Sequence, residues 1–369
     1  MDFAFNEDQE ELRRYVRQWL EEKSSSETVR KLMGTADGHS AQLWSETAEM
    51  GWQAMAIPEE YGGAGFGFLE LAVILEEQGR ALFTGPFLSS TVLAAYALLL
   101  GGTEAQKQRL LPGIASGETI ATVAASDEEG HLTVQPTATT AVRDGDTWVL
   151  SGTKRFVLDG HTADVLLVTA DTGDGISIFI VEGSAVRAEV LPTMDETRKQ
   201  ADVVLAGVRV DEVDRFEIGA ATVLPVLDRY ASAALAIESV GAAQRCLDMS
   251  VEYAKDRKQF NRPIGSFQSI KHKCADMLVE LEAAKSAAYY AAWAVGEDSD
   301  DAEEAASIAK AYCTDAFYHC AAENIQIHGG IGFTWEHDAH LYFKRAKSSQ
   351  LMFGSPQHHR ARLAALIGL

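Results

Sequence analysis

Cysteine is scarce in this chain, with four residues in 369, at positions 246, 274, 313 and 320, and none of them forms a Cys-x-x-Cys pair. This spacing, within segments of helical pattern, argues against a disulfide framework or a structural zinc site and favours reduced core thiols. Long apolar runs are also missing, since the longest, VLAAYALLL at residues 92–100, is too short to cross a bilayer. The N-terminal stretch lacks the apolar segment of a secretory signal. We therefore expect a cytoplasmic protein that does not bind a membrane.

Basic residues are outnumbered, with 32 Lys and Arg against 54 Asp and Glu, for a formal net charge of -22. Most of such a surface repels polyanions, which excludes a general nucleic-acid binder. Any anionic ligand must instead find a local cluster of cations.

Apolar residues make up 47% of the chain, enough for a large core. Their spacing is helical from Asn6 to about Gly117, changes to short alternating β-branched stretches, and becomes helical again after about Glu217. The pattern predicts an α+β protein with three regions: an N-terminal helical bundle (1–117), a middle β domain (118–214) and a C-terminal helical bundle of the four-helix type (215–369). The alanine-rich helices of the last region favour an oligomer interface there.

The segment YAKDRKQFNRPIGSFQ, residues 253–268, predicts two helix ends that converge. Pro263 forbids continuation of the first helix, and Asn261 is a residue type tolerated at the left-handed position that ends one. Arg257 then lies in a last helical turn, and a second helix begins near Ser266. Its early turns carry Lys271, His272 and Lys273. In so acidic a chain this cluster suits a phosphate or diphosphate, although an ordinary helix hairpin with solvated charges is an equal alternative.

A second candidate segment is QIHGGIG, residues 326–332, which ends a helical run abruptly. Its glycines allow a backbone to approach a ligand closely, and Gln326 offers both a donor and an acceptor. A plain helix end followed by a loop is the structural alternative.

Taken in this order, the segments resemble the acyl-CoA dehydrogenase family of flavoproteins. The resemblance covers nearly the whole chain and includes the loop IPEEYGG at residues 57–63. It implies a helical bundle, a β domain and a second helical bundle, with non-covalent FAD, an acyl-CoA substrate and assembly as dimers or dimers of dimers. It also implies electron transfer to an electron-transfer flavoprotein.

The resemblance further implies which residues contact FAD. Arg257 meets the diphosphate, Phe260 packs against the cofactor and Gln268 hydrogen-bonds it. A second group reaches the adenosine side across a dimer: Gln326, Gly329 and Gly330. In the β domain the family's usual flavin-facing loop and tryptophan are replaced here, leaving Ser126 as a hydrogen-bond donor and Phe156 as a stacking residue.

The family's catalytic base has no counterpart in this chain. Much of the family carries it as a Glu in a Glu-Gly-Thr stretch, and the matching triplet here is Phe353-Gly354-Ser355, of which Ser355 is a further candidate cofactor contact. Other members carry the Glu on the long preceding helix, at the position of Ala231. Neither residue accepts a proton. Asp228 and Glu238 lie on the same helix, displaced from that position.

The absent base leads to three hypotheses. Some relatives are heterotetramers of two similar subunits, one of which supplies the Glu for acyl groups as bulky as steroid side chains. The chain resembles the Glu-lacking partner. The alternatives are a homomeric enzyme that uses Glu238 or Asp228, and a scaffold subunit without flavin chemistry.

Two other motifs are interpreted as structural. GGAGFG, residues 62–67, follows no strand and is predicted to be a loop rather than a dinucleotide fingerprint. The histidines and acids of EHDAH, residues 336–340, are predicted to hold no metal.

Overall fold

A computed structural model describes residues 6–128, 130–132 and 137–369, so the first five residues of the N-terminal stretch lie outside the description. The chain divides into two compact units. The first, here called the helical unit, contains residues 6–31, Phe68–Phe83 and Ser232–Leu369. The second, the sheet unit, contains Leu32–Gly67 and Thr84–Ala231. The predicted boundaries at residues 117 and 214 stay a prediction.

Helices occupy both ends of the sequence, as the apolar periodicity predicted. A π-helix covers Phe87–Ala94 and leads directly into α5. Capping boxes at Asn6 and Thr103 satisfy the first backbone donors of α1 and α6. The α-helices are α1 Glu7–Lys23, α2 Ser26–Met33, α3 Ala41–Glu49, α4 Phe68–Ala81, α5 Ala95–Gly101, α6 Glu104–Ala115, α7 Ala220–Asp256, α8 Gln268–Gly296, α9 Ala302–His328, α10 Ala339–Leu351 and α11 Pro356–Leu366.

The middle of the chain forms a seven-stranded mixed sheet with the order β1-β4-β2-β3-β7-β6, and β5 pairs with β4. The long strands β3 and β7 are antiparallel, with a register shift between Lys154 and Val157. Trp148, Leu150 and Phe179 are among the buried side chains of its core. The strands are β1 Ala121–Ala124, β2 Thr140–Asp144, β3 Thr147–Leu158, β4 Val165–Asp171, β5 Ile176–Glu182, β6 Arg187–Val190 and β7 Gln200–Asp211.

Buried ion pairs attach α1 to α4 within the helical unit. Glu76 and Glu77 on α4 are 6% and 1% exposed. Arg13 donates to Glu76 at 2.8 Å, and Arg17 donates to both oxygens of Glu77 at 2.7 and 2.8 Å. Burial raises the pKa of Glu76, and Arg13 opposes that rise. Because each buried carboxylate has an arginine partner, the pairing offsets part of the cost of burying it.

Two glycines let α4 and α7 meet backbone to backbone. A Cβ on Gly79 would lie 2.0 Å from the carbonyl oxygen of Glu238, and one on Gly241 would lie 1.8 Å from that of Glu76. Neither distance is possible for real atoms, so both positions require glycine.

Gly241→Ala is expected to destabilise the protein by about 2 kcal/mol, because the added methyl group must push two packed helices apart. Chemical denaturation measures this change. The control is Gly296→Ala, where the new Cβ would meet its nearest neighbour, the Cβ of Phe68, at an ordinary 3.5 Å. Equal stability of the two variants would contradict the contact.

Several local predictions are confirmed. All four cysteines are free, and three of them are buried. Residues 62–67 form a loop after a short 3-10 turn at Glu59–Tyr61. One helix differs from the expectation that no segment is long and apolar enough to cross a membrane. By length and composition alone Ala220–Asp256 could do so, but 67% of its most apolar window is buried, a feature that core helices share.

Candidate functional site

The chain between α7 and α8 folds into a small β-hairpin. Helix α7 ends at Asp256, and the backbone N–H of Arg257 donates to the carbonyl of Tyr253 at 2.8 Å, which closes the last turn. The strands β8 (Lys258–Gln259) and β9 (Arg262–Pro263) then pair antiparallel. Arg257 therefore lies just after the helix and not in its last turn.

The hairpin tip corrects the prediction for Asn261. Phe260 and Asn261 have φ angles of +52° and +59°, the pattern of a type I′ turn. Asn261 is left-handed as predicted, but it turns a hairpin and does not end a helix. The second helix begins at Gln268, close to the predicted start near Ser266 and after a 3-10 turn at Ile264–Ser266.

Phe260 is exposed to solvent and has an energetically unfavourable backbone conformation. It is 86% exposed, and an aromatic residue with positive φ is an outlier. Its ring meets Phe267 edge to face at 6.1 Å. Exposed, strained residues of this kind cluster at ligand sites, and a flat ring suits a flat ligand.

Cations collect around this hairpin without carboxylate partners. Arg257, Lys258, Arg262 and Lys271 are exposed, and within the described ranges none of the four forms a salt bridge. Lys273 differs because it pairs with Glu323. Helix α8 also begins with neither a side-chain cap nor an acidic residue in its first turn. The positive end of its dipole therefore adds to a local field that favours an anion.

The glycine segment lies at the end of α9. Gly329, with φ +63°, caps the helix, and a 3-10 turn covers Gly329–Phe333. A Cβ added to Gly329 or Gly330 would meet no atom within 4 Å, so the space beside both residues is open. Gln326, in the last turn of α9, is exposed.

These two segments lie at the same end of the helical unit. The rings of Tyr253 and His328, near the ends of α7 and α9, are 4.3 Å apart. Ser250 donates to the side-chain oxygen of Asn324 at 3.0 Å. The hairpin and the glycine turn therefore follow neighbouring helix ends. Unpaired cations, an exposed ring and an open glycine backbone together fit the FAD that the resemblance implies, although the assignment of single residues remains a prediction.

Both positions at which the family carries its catalytic base are occupied here by buried apolar residues. Phe353 is 5% exposed and Ala231 is 0% exposed. Of the alternative bases, Glu238 accepts a hydrogen bond at 2.5 Å from Arg345, and both side chains are almost fully buried. The Glu238 carboxylate is therefore engaged by a buried guanidinium, and almost none of its side chain is open to a substrate. Asp228 is also buried, at 3% exposure.

The turn that carries Phe353 is fixed from behind by two residues. Lys310, fully buried, donates to the carbonyls of Gln350, at 2.9 Å, and of Gly354. The Nε2–H of His359 donates to the carbonyl of Phe353 at 3.0 Å. Burial, helped by the nearby charge of Lys310, lowers the pKa of His359 to about 3, so the ring is neutral. Phe353 has a φ of +55° here, which this scaffold maintains.

Ser355 caps the helix that follows this turn. Its hydroxyl accepts from the backbone N–H of His358 at 3.2 Å, at the start of α11. The cap leaves the O–H hydrogen available to another acceptor.

The sheet unit positions Ser126 and Phe156. The Ser126 hydroxyl accepts from the backbone N–H of Gly130 at 2.9 Å, and its carbonyl accepts from that of Arg155 at 2.8 Å. Phe156 lies at the β3 bulge with φ +55° and 39% exposure. Both residues belong to one local structure, in which the loop after β1 meets the bulge of β3.

Sequence reasoning missed the residue that organises that loop, Lys154. It is fully buried and donates to Asp127 at 2.6 Å, to Thr137 at 3.0 Å and to the carbonyl of Ala125 at 3.2 Å. Burial raises the pKa of Asp127, but hydrogen bonds from Lys154 and Thr137 outweigh it and bring the value to about 2. A signal was available, because Lys154 continues the inward-facing positions of Trp148 and Leu150 on an alternating strand.

The acidic and histidine residues at 336–340 have structural contacts. Asp338 accepts from Ser26 at 2.5 Å and from Arg30 at 2.8 and 3.1 Å. This carboxylate therefore links the start of α10 to α2.

Comparisons with known proteins identify three matching family models that together cover most of the chain. They are described as the acyl-CoA dehydrogenase N-terminal domain, at residues 6–118, the middle domain, at 122–207, and the C-terminal domain, at 229–368.

Individual relatives agree with these models. The chain is 34% identical over 363 residues to acyl-CoA dehydrogenase IpdE2 of Mycolicibacterium smegmatis, covering 98% of this chain and 99% of that protein. Among solved structures, a chain of the ChsE4-ChsE5 complex from Mycobacterium tuberculosis is 30% identical, with a TM-score of 0.92 and 100% of both chains covered. A chain of the Tcur3481-Tcur3483 steroid ACAD is 32% identical, with a TM-score of 0.89 and 98% of both chains covered.

The order of regions, the unpaired cations at the hairpin and the open glycine turn agree with these similarities over the full length of the chain. This protein belongs to the acyl-CoA dehydrogenase family of FAD-dependent oxidoreductases.

Proposed function

We propose that this chain is the Glu-lacking subunit of a hetero-oligomeric acyl-CoA dehydrogenase, which introduces an α,β double bond into a CoA thioester. The observation that carries the proposal is the contrast between two sites. The hairpin and glycine turn keep the side chains suited to FAD, whereas Phe353 and Ala231 leave both base positions without a proton acceptor.

The reaction requires two hydrogens to leave the substrate in different forms. A carboxylate takes the α-proton, and the β-hydrogen leaves as hydride. FAD, when bound, supplies the hydride acceptor and transfers the electrons onward to an electron-transfer flavoprotein. Phe353 cannot take the proton, so a homologous subunit with a Glu at the corresponding position supplies the carboxylate.

The roles proposed for this chain's residues follow from their environments. Arg257 binds the FAD diphosphate through its unpaired guanidinium, Phe260 packs its exposed ring on the cofactor, and Gln268 hydrogen-bonds it. The open backbone at Gly329 and Gly330 admits the adenosine portion beside Gln326. Three further cofactor contacts are proposed: Ser126, Phe156 and Ser355.

Similarity to two solved complexes that carry two protein names supports the hetero-oligomer. One of them is described as a steroid ACAD, which supports a bulky acyl group such as a steroid side chain as the substrate class. A cytoplasmic location fits the same proposal.

The homomeric alternative, with Glu238 or Asp228 as the base, is less well supported. The ion pair between Glu238 and Arg345 holds that carboxylate in a buried, occupied state. If either residue were the base, Glu238→Gln or Asp228→Asn would abolish flavin reduction in the purified chain.

The deciding experiment compares the chain alone, a homologous Glu-bearing chain alone, and the two co-expressed. We expect loss of visible flavin absorbance on addition of a steroid side-chain acyl-CoA only for the co-expressed pair. Replacing the catalytic Glu of the partner by Gln should prevent this loss of absorbance. Reduction of flavin by this chain alone would overturn the proposal. A pair whose FAD content and activity are unchanged by Arg257→Gln would instead indicate a scaffold subunit.

A further inference from the structure

Arg262, on the second strand of the hairpin, is held in an unusual way. Its guanidinium lies 3.9 Å from the centroid of the Phe267 ring. Arg262 is exposed and has no carboxylate within salt-bridge distance in the described parts of the chain. Acidic residues exceed basic ones by 54 to 32 in this sequence, so an exposed arginine without an acidic partner is notable.

Contact with the ring leaves the N–H donors of the Arg262 guanidinium available to an anion. A guanidinium that packs flat on a ring uses its face, whereas its N–H donors point outward in the plane. Phe267 is itself fixed, since its backbone N–H donates to the carbonyl of Ile264 at 3.0 Å and it immediately precedes α8. Arg262 is therefore preorganised to offer several donors to an anion, with little side-chain entropy left to lose.

Arg262 and Arg257 belong to the same small hairpin. Arg262 pairs with Gln259 across the two strands, and the N–H of Ile264 donates to the carbonyl of Arg257 at 2.8 Å. Both guanidiniums thus extend from a few residues of backbone that the hairpin hydrogen bonds hold together. A diphosphate has two phosphate groups, and one arginine fork matches one phosphate well.

We propose that Arg262, stacked on Phe267, is a second phosphate-binding residue for the FAD diphosphate, beside Arg257. The inference rests on the proposed role of Arg257 in cofactor binding. It adds a residue and a means of positioning it: the aromatic ring holds the cation, and the cation binds the phosphate.

The test uses the full-length chain in the oligomer it forms, stripped of FAD and titrated with FAD at low and high salt by flavin fluorescence. Arg262→Gln is expected to weaken FAD binding about tenfold at low salt and to reduce its salt dependence, because one charge interaction is lost. Phe267→Leu keeps the charge of Arg262 but removes the aromatic ring against which its guanidinium packs. It should therefore weaken binding about threefold while retaining the wild-type salt dependence.

Arg14→Gln is the matched control, since Arg14 on α1 is also exposed and has no salt bridge among the residues described. It should change neither affinity nor salt dependence. If Arg262→Gln bound FAD as tightly as the wild type, the inference would be overturned. It would also be overturned if Arg262→Gln lost affinity for coenzyme A but not for FAD. If the wild-type oligomer bound no FAD, the proposed function would fall first, which separates the two failures.

Discussion

Replacing Arg257 by Gln is expected to weaken FAD binding about 100-fold, because the proposed bidentate contact of this arginine with a phosphate would be replaced by a neutral amide. Arg257 is exposed and has no salt bridge within the described chain, so its removal should leave the free energy of unfolding nearly unchanged. Equilibrium titration with FAD and denaturation of the FAD-free oligomer measure the two quantities separately.

Arg257→Lys separates charge from geometry. A lysine keeps the positive charge but loses the planar fork, so we expect an affinity between those of the wild type and the Gln variant. If Arg257→Gln bound FAD as tightly as the wild type, the hairpin would not be the diphosphate site, even though its cations lack acidic partners.

Secondary structure was predictable where the apolar period was long and regular. The helical runs at both ends and the alternating strands in the middle are present in the structure. The division of the chain into two compact units could not be predicted from such a local pattern. Residues Phe68–Phe83 belong to the same unit as the C-terminal helices because Gly79 and Gly241 bring α4 and α7 into contact. That contact joins residues far apart in sequence, and no local pattern encodes it.

At the hairpin, local sequence rules predicted the backbone conformation of Asn261 correctly but assigned it to a helix end instead of a turn. Asn261 does adopt a left-handed backbone, but Phe260 does as well, and two consecutive positive φ angles define a type I′ turn. An aromatic residue is disfavoured at such a position, so sequence rules alone select a helix end. The proposed packing of the exposed Phe260 ring on FAD would account for this exception.

Buried lysines were the main omission at the candidate site. Lys154 and Lys310 are both fully buried, and their ammonium groups hold the loop after β1 and the turn at Phe353, respectively. Lysine is among the residue types least often buried, so its side chain is normally assigned to the surface. Both occur at inward positions of otherwise apolar patterns, which is the sequence signal that identifies them.

Lys310→Met is expected to destabilise the protein by about 3 kcal/mol, because the carbonyls of Gln350 and Gly354 lose a charged donor and stay buried. Methionine has a similar length and leaves no large cavity, so the loss reports the hydrogen bonds rather than packing. The free energy of unfolding from chemical denaturation measures it. Lys31→Met, at an exposed position on α2, should stay within about 0.5 kcal/mol of the wild type.

The Lys310 variant also tests whether the ammonium group itself fixes the turn that carries Phe353. His359 donates to the carbonyl of Phe353, and the backbone N–H of His358 donates to the hydroxyl of Ser355. These contacts remain after Lys310 is replaced, but they do not satisfy the two carbonyls that it binds. A Lys310→Met protein as stable as the wild type would mean that water or another donor replaces the ammonium, and that Lys310 does not fix the turn.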